Sequence, residues 1–419
     1  MKGVLTAVLI ACAAMVQRPG PNYDESKVPA YKLPELLVTA SGERVRSAAG
    51  WPTRRAEVRR LLEAQMFGRA PARPARMNFE VRSVDRAALG GKAVRKLVSI
   101  NVQGMTLDLL VYLPAGVAAP VPVFVGLGFD PNQTVAADPG IPLARTWVQN
   151  KETKAAELRP SQESSRGSAA SRWQVEQVLA RGYGLVTMYY GDVEPDIVGA
   201  MRQGIRVTYL KPGQLAPGDD QWGAIAAWAW GLSRAVDYLE TDRDVDAKRL
   251  AVVGHSRLGK TALWAGAVDT RFAMVISNDS GEGGAAISRR RFGETVADLN
   301  DRFPHWFCGN YKQYSGKEDQ MPFDSHMLLA LIAPRPLYVA SAEEDQWADP
   351  KGEFLAAVAA SQVYQLLGLK GVGTDQIPSV NQPVGELVRY HVRTGKHDIT
   401  AYDWQQYLDF ADRHLRRKR

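Results

Sequence analysis

The sequence predicts an α/β protein, one mostly parallel sheet covered by helices on both faces in three layers. Three observations predict it. Short apolar, β-rich runs alternate with helical runs along most of the 419 residues. A composition 45% hydrophobic and 23% charged suits an ordinary globular core of one large or two modest domains. Polar, chemistry-bearing residues stand just past the ends of several apolar runs, where open parallel sheets place their sites.

Taken in order, Lys2 precedes an apolar run over 4–11 and the small residues Cys12-Ala13-Ala14. This reads as an export signal over 1–17 and predicts a secreted or periplasmic protein. Leu9-Ile10-Ala11-Cys12 also resembles a lipobox, which would put a lipid on Cys12 and make the protein an outer-membrane lipoprotein. The run is too short to span a bilayer. Residues 18–50, with Pro19, Pro21, Pro29 and Pro34, are an extended leader, and 51–419 a single catalytic domain. Strands are expected over 79–84, 92–102, 106–113 (ending at Pro114) and 121–128, the last opening into a glycine-bearing loop. Residues 131–171 are polar and make a long excursion. Further insertions are expected near 193–217 and 280–326. A helix over 173–181 stops at Gly182, a strand covers 185–190, and a tryptophan-bearing helix runs 219–240 from an Asp219 cap. Strands over 249–253, 272–277, 337–341 and 387–392 follow, with helices over 260–267, 352–367 and 404–413.

The formal charge of +7 owes much to Arg413, Arg416, Arg417, Lys418 and Arg419, a basic end that reads as a solvated tail. No nucleic-acid motif accompanies it, so no nucleic-acid partner is expected. With two cysteines, Cys12 and Cys308, a processed chain has no internal disulfide, and Cys308 reads as a small buried residue. No His/Cys cluster suggests zinc, and neither metal nor organic cofactor is expected. A monomer is expected.

The most informative stretch is Gly254-His255-Ser256-Arg257-Leu258-Gly259, between the strand 249–253 and the helix 260–267. A serine on a sharp strand-to-helix turn is the context of a nucleophile elbow, although the second glycine falls one place later than in G-x-S-x-G. Ser256, Asp279, Asp345 and His397 all follow strands, in the order nucleophile, acid, histidine found in α/β-hydrolases. A serine hydroxyl needs a base within reach, and the base an orienting carboxylate. Of six histidines, His397 alone follows the last strand in a polar loop. His255 adjoins Ser256, so its side chain should point elsewhere; His391 lies within a strand and should be packed; His414 lies in the basic end. His305 and His326 sit in a loop-rich segment where they can line a pocket. Asp279 and Asp345 compete to orient His397, and the expectation is that they share the task. The Arg257 N–H is placed for an oxyanion hole, with its guanidinium beside the nucleophile, and Lys260 is one helical turn on. Trp347 and Trp306 are candidate sugar platforms, although loop tryptophans are as often simply packed.

These motifs together resemble the glucuronoyl esterases, carbohydrate esterase family 15, in their bacterial branch. The elbow matches G-C/x-S-R-x-G. Further stretches that resemble the bacterial branch are Arg181-Gly182-Tyr183-Gly184 with Tyr190-Gly191-Asp192, Asn278-Asp279-Ser280-Gly281-Glu282-Gly283-Gly284, Arg302-Phe303-Pro304-His305-Trp306-Phe307, Glu344-Asp345-Gln346-Trp347-Ala348-Asp349-Pro350 and Gly395-Lys396-His397. The resemblance spans roughly 50–415. It implies an α/β-hydrolase fold, Ser256 as nucleophile, His397 as base and Arg257 as oxyanion arginine. It further implies Lys260 on the hydroxyls of a glucuronate ring, Trp347 against the sugar, and a glucuronoxylan or lignin–carbohydrate ester as substrate. The family acid, usually Glu, falls on Asp279; some bacterial members place or duplicate it at the position of Asp345. The loop Gly128-Phe129-Asp130-Pro131-Asn132-Gln133-Thr134 departs from the usual N-F-x-G-N-H-T pattern and should alter the pocket rim. The same scaffold would also serve an acetyl xylan esterase or, without turnover, a carbohydrate-binding protein.

Overall fold

A computed structural model describes residues 20–416. The export signal, Cys12 and the basic end 417–419 lie outside the described residues. The strands are β1 (Asn78–Ala87), β2 (Ala93–Val102), β3 (Met105–Pro114), β4 (Val121–Gly128), β5 (Arg145–Gln149), β6 (Ala156–Pro160), β7 (Gly184–Tyr189), β8 (Val245–His255), β9 (Phe272–Asn278), β10 (Leu337–Ala342), β11 (Val384–Gly385) and β12 (Val388–Arg393). Ten of them form one sheet in the order β1-β2-β3-β7-β4-β8-β9-β10-β12-β11. From β7 to β12 neighbours are parallel, because helices or long excursions return the chain between them. The short connections of β1 to β3 make that side antiparallel, and β11 pairs antiparallel at the other edge.

The central strands are buried on both faces, which is why β4, β7 and β10 are predominantly apolar. Alternate residues serve opposite faces. Val123, Val125, Val252, Val275 and Val339 pack with the helices Trp51–Leu62, Ala224–Leu239, Arg257–Val268, Ser325–Ala330 and Pro350–Leu366. Phe124, Ala251, Val253, Ile276 and Tyr338 pack with Val175–Ala180 and Ala401–His414. Pro122, which has no N–H for the ladder, coincides with a register shift against β8.

Some boundaries differ from expectation. The helix predicted over 219–240 begins at Ala224, with Gly223 as its cap. Residues 219–223 instead pair across the chain: Arg69 N–H donates to the Asp220 carbonyl, Asn310 N–H to Asp219, and Gly223 N–H to Phe67. The helix predicted over 173–181 starts at Ala170 and is split at Gln174, whose φ of 44° lies in the left-handed region. The 131–171 excursion carries the separate hairpin β5-β6. Cys308 is buried with a free thiol. Among the described residues no helix is long and apolar enough to cross a membrane.

Asp192, in the turn after β7, has a direct bearing on stability. Its carboxylate accepts from the Asp108 N–H at 3.4 Å. Burial, then the nearby Asp108 carboxylate, pushes its carboxyl up to about 8. The folded chain therefore keeps a proton that the unfolded chain releases near 3.8, so this group disfavours folding increasingly as pH rises from about 4 to 8. Asp192→Asn keeps the acceptor and removes the ionisation. Its melting temperature should match wild type near pH 4 and exceed it by several degrees near pH 9. A variant less stable at both ends refutes this account.

Candidate active site

The site is assembled at the carboxyl ends of β7 to β12. Ser256 is the last residue before the helix Arg257–Val268 and adopts φ 58°, ψ −130°, a strained conformation for a residue with a side chain. Its N–H donates to the Asn278 carbonyl on β9 at 2.9 Å, and its carbonyl accepts from the Gly259 and Lys260 N–H groups. The turn is tight enough that a Cβ on Gly254 would lie 1.9 Å from the Leu258 carbonyl oxygen. The Arg257 N–H, at the first helical position, is among those that helix geometry leaves without an intrahelical acceptor.

His397 donates from Nδ1 to Asp345 Oδ2 at 2.5 Å. That tautomer leaves Nε2 with its lone pair, the state a general base needs. The His397 ring also lies 4.5 Å from that of His255. The elbow histidine, expected to point elsewhere, thus backs the His397 imidazole. Asn278 Nδ2 donates to Tyr407 Oη at 2.9 Å and to Asp403 at 3.3 Å, so its Oδ1 is turned to His255 and accepts from Nδ1 at 2.6 Å. Burial, then the neighbouring His397, holds the His255 pKa well below the ordinary histidine value, and the ring stays neutral.

Asp279 is buried behind this pair with φ 45°. Its Oδ2 accepts from Arg393 at 3.4 Å and lies 4.0 Å from His255 Nδ1, while its Oδ1 is buried without a partner. Burial, then the carboxylates of Glu353 and Asp345, pushes its carboxyl well above the usual range. Asp279, Asp345 and His397 have ligand-type atoms within 4.8 Å of one another, the one such group among the described residues. The direct hydrogen bond, however, runs from His397 to Asp345.

Sequence reasoning missed three acids that hold this arrangement. Glu353, in the first turn of Pro350–Leu366, accepts from the N–H groups of Ser280 and Gly281 at 2.9 Å and from Ser341 Oγ at 2.5 Å. It thereby ties the Asp279 loop to β10, and burial raises its carboxyl to about 7. Glu294 faces the buried Lys260 ammonium at 3.4 Å. Asp196, in the 193–217 insertion, accepts from Trp306 Nε1 at 2.6 Å, from His305 Nε2 at 2.8 Å and from Arg257. Burial opposes its charge, but the His305 hydrogen bond, the Arg257 charge and Trp306 together hold its carboxyl at about 2. None of the three announced itself by periodicity.

The Arg257 guanidinium is enclosed by rings, 4.9 Å from the centroid of Trp306, 5.5 Å from Phe303 and 5.7 Å from Phe129. Lys260 stands 5.6 Å over the same Trp306 ring. Trp306 is buried and stacked on Phe303 at 3.9 Å, so it supports the two cations and is not an open sugar platform. His305 is nearly covered beside Asp196. Trp347 is partly exposed with Arg302 5.2 Å over its ring. His326 is a correction: it is buried in Ser325–Ala330, 3.0 Å from the Pro34 carbonyl, away from the site. His391 is buried between Asp403 and Tyr338, packed as expected.

Residues 214–368 match the family described as glucuronyl esterase, fungi. The chain is 57% identical to the glucuronoyl esterase from Solibacter usitatus, covering 93% of this chain and 100% of that one with a TM-score of 0.89. It is 51% identical to carbohydrate esterase MZ0003 from an unknown prokaryotic organism, over 95% of this chain and 93% of that protein. The 4-O-methyl-glucuronoyl methylesterase of Neurospora crassa is 26% identical, over 88% of this chain and 82% of its own.

Proposed function

The chain belongs to the glucuronoyl esterases of carbohydrate esterase family 15, and from that premise we propose how its residues carry the reaction. It is a carboxylic ester hydrolase acting on glucuronoyl and 4-O-methylglucuronoyl esters. Ser256 Oγ attacks the carboxyl carbon while His397 Nε2 takes its proton. The developing oxyanion is met by the Arg257 N–H and its guanidinium. His397 returns the proton to the departing alcohol, and a glucuronoyl–Ser256 ester remains until water, deprotonated by His397, releases the acid. Asp345 holds the base in the required tautomer. The observation that carries this reading is the 2.5 Å His397–Asp345 bond beside a strained serine elbow.

The cations favour a uronoyl group over an acetyl group. Lys260 and Glu294 form a buried pair one helical turn from Ser256, suited to sugar hydroxyls and wasted on a methyl group. Benzyl glucuronate should therefore be turned over far faster than acetylated xylan, and the reverse preference would overturn the assignment. We further propose that the protein is exported and reaches cell-wall polysaccharide; the apolar run over 4–11 supports this.

Asp196 positions Arg257 within this scheme. Asp196→Ala should lower kcat on benzyl glucuronate by roughly 10–100-fold, since one oxyanion donor is worth about 10²–10³ and the Arg257 backbone N–H stays in place. KM should change less than kcat. Unchanged kcat would show that Arg257 keeps its place without the carboxylate.

A further inference from the structure

Residues 20–29 of the leader are fastened to the segment 290–293 and to Lys351, and that segment adjoins the loop that carries Asp345 and Trp347. The Asn22 carbonyl accepts from the Gly293 N–H at 2.8 Å, and the Trp347 carbonyl from the Glu294 N–H at 2.9 Å. Gly293 has φ 64°, and a Cβ there would lie 2.5 Å from the Trp347 carbonyl oxygen, so the three segments close on one another. Glu25 accepts from Lys351 at 2.7 Å and from Arg290, which reaches Asp349 at 2.7 Å. Asp349 in turn caps the helix Pro350–Leu366.

Between the leader and the segments 291–298 and 315–318 is a cavity of 1070 Å³ whose lining includes Tyr23, Asp24, Lys27, Arg291, Asp298 and Ser315. Tyr23 is 51% exposed, its ring set at 81° to Phe292 with centroids 6.1 Å apart. Burial, then the carboxylates of Asp298 and Asp345, raises its phenol pKa. Two ion pairs line the cavity, Lys27 with Asp24 at 3.3 Å and Arg291 with Glu318 at 2.8 Å, while the Asp298 carboxylate accepts from the neutral Thr295 Oγ1 at 2.6 Å. A wall with an exposed aromatic ring, hydroxyls, two neutralised ion pairs and the Asp298 carboxylate offers stacking and hydrogen bonds but no cation to hold an anion. Its complement is a neutral, hydroxyl-rich chain, not an anion or a purely apolar aryl group.

We propose that the leader forms the outer wall of a polysaccharide subsite in which Tyr23 stacks on a neutral sugar of the xylan that bears the glucuronoyl ester. The subsite rests on the esterase reading for its substrate and is tested separately from it. A neutral xylo-oligosaccharide is titrated into Ser256→Ala and into Ser256→Ala/Tyr23→Ala, with melting curves confirming both folds. Binding should weaken about tenfold on loss of Tyr23. In parallel, Tyr23→Ala should raise KM about tenfold for a glucuronoyl ester built on a xylo-oligosaccharide. It should leave benzyl glucuronate within about twofold, and Tyr23→Phe should restore wild-type values. Equal losses on both esters, or unchanged oligosaccharide binding, overturn the subsite. If wild type cleaves neither ester, the esterase reading fails, and the titration still decides whether Tyr23 binds sugar.

Discussion

Replacing Ser256 with alanine is expected to lower kcat on benzyl glucuronate by roughly 10⁶-fold, the scale seen when a serine hydrolase loses its nucleophile alone. The remaining site does not supply a substitute. Burial and the elbow geometry place one hydroxyl above the sheet at the N-terminus of Arg257–Val268, with φ 58°. The only polar atoms that the alanine variant loses are those of that hydroxyl, so the oxyanion donors and the His397–Asp345 pair stay in place. Residual rate would then come from water activated by His397. Fluorophosphonate labelling gives a second readout: wild type should be modified at Ser256 and the variant not at all. Turnover retained within tenfold would remove Ser256 from the mechanism, whatever the labelling shows.

The ease with which Ser256 is found in the sequence is a property of the elbow. A buried strand, a turn with no room for side chains and an apolar helix each leave a compositional mark, and they adjoin in the chain. His397 is legible by elimination, since the other histidines sit in a strand, beside the nucleophile, in loops or at the basic end. The parallel order of β8, β9, β10 and β12 is legible from the strand–helix alternation. Other features depend on contacts between segments far apart in sequence. Asp196 meets Arg257, His305 and Trp306 across more than one insertion, and nothing local marks it. Glu353 reads as an ordinary acid in a helix first turn, until the fold brings Ser280, Gly281 and Ser341 to it. The helix start at Ala224 is hidden in the sequence for the same reason: Asp219 is a good local cap, but its segment is claimed by residues 67–69 and 310.

The choice between Asp279 and Asp345 depends on register, which the sequence does not carry. Ala340 of β10 pairs with Asn278 of β9, so the two strands end side by side and both acids face His397. Their states differ. Asp345 makes the 2.5 Å bond to His397, whereas Asp279 is buried with one unpartnered oxygen and a carboxyl pushed well above the usual range by burial and by the Glu353 and Asp345 charges. We expect Asp279 to act as a reserve whose ionisation burial, Glu353 and Asp345 together suppress. Asp345→Asn removes the Asp345 share of that suppression, with burial and Glu353 remaining, and Asp279, within 4.8 Å of the imidazole, should then take over in part. The expected loss in kcat is about 10²-fold for Asp345→Asn, less than about tenfold for Asp279→Asn, and roughly 10⁴-fold or more for the double variant, well beyond the product of the singles. Initial rates on benzyl glucuronate for the four proteins check this. An Asp345→Asn loss already near 10⁴, with no further loss in the double variant, would show that Asp279 never reaches the base. A large loss from Asp279→Asn alone, with Asp345→Asn silent, would mean that the hydrogen bond to Asp345 is not the one used in turnover.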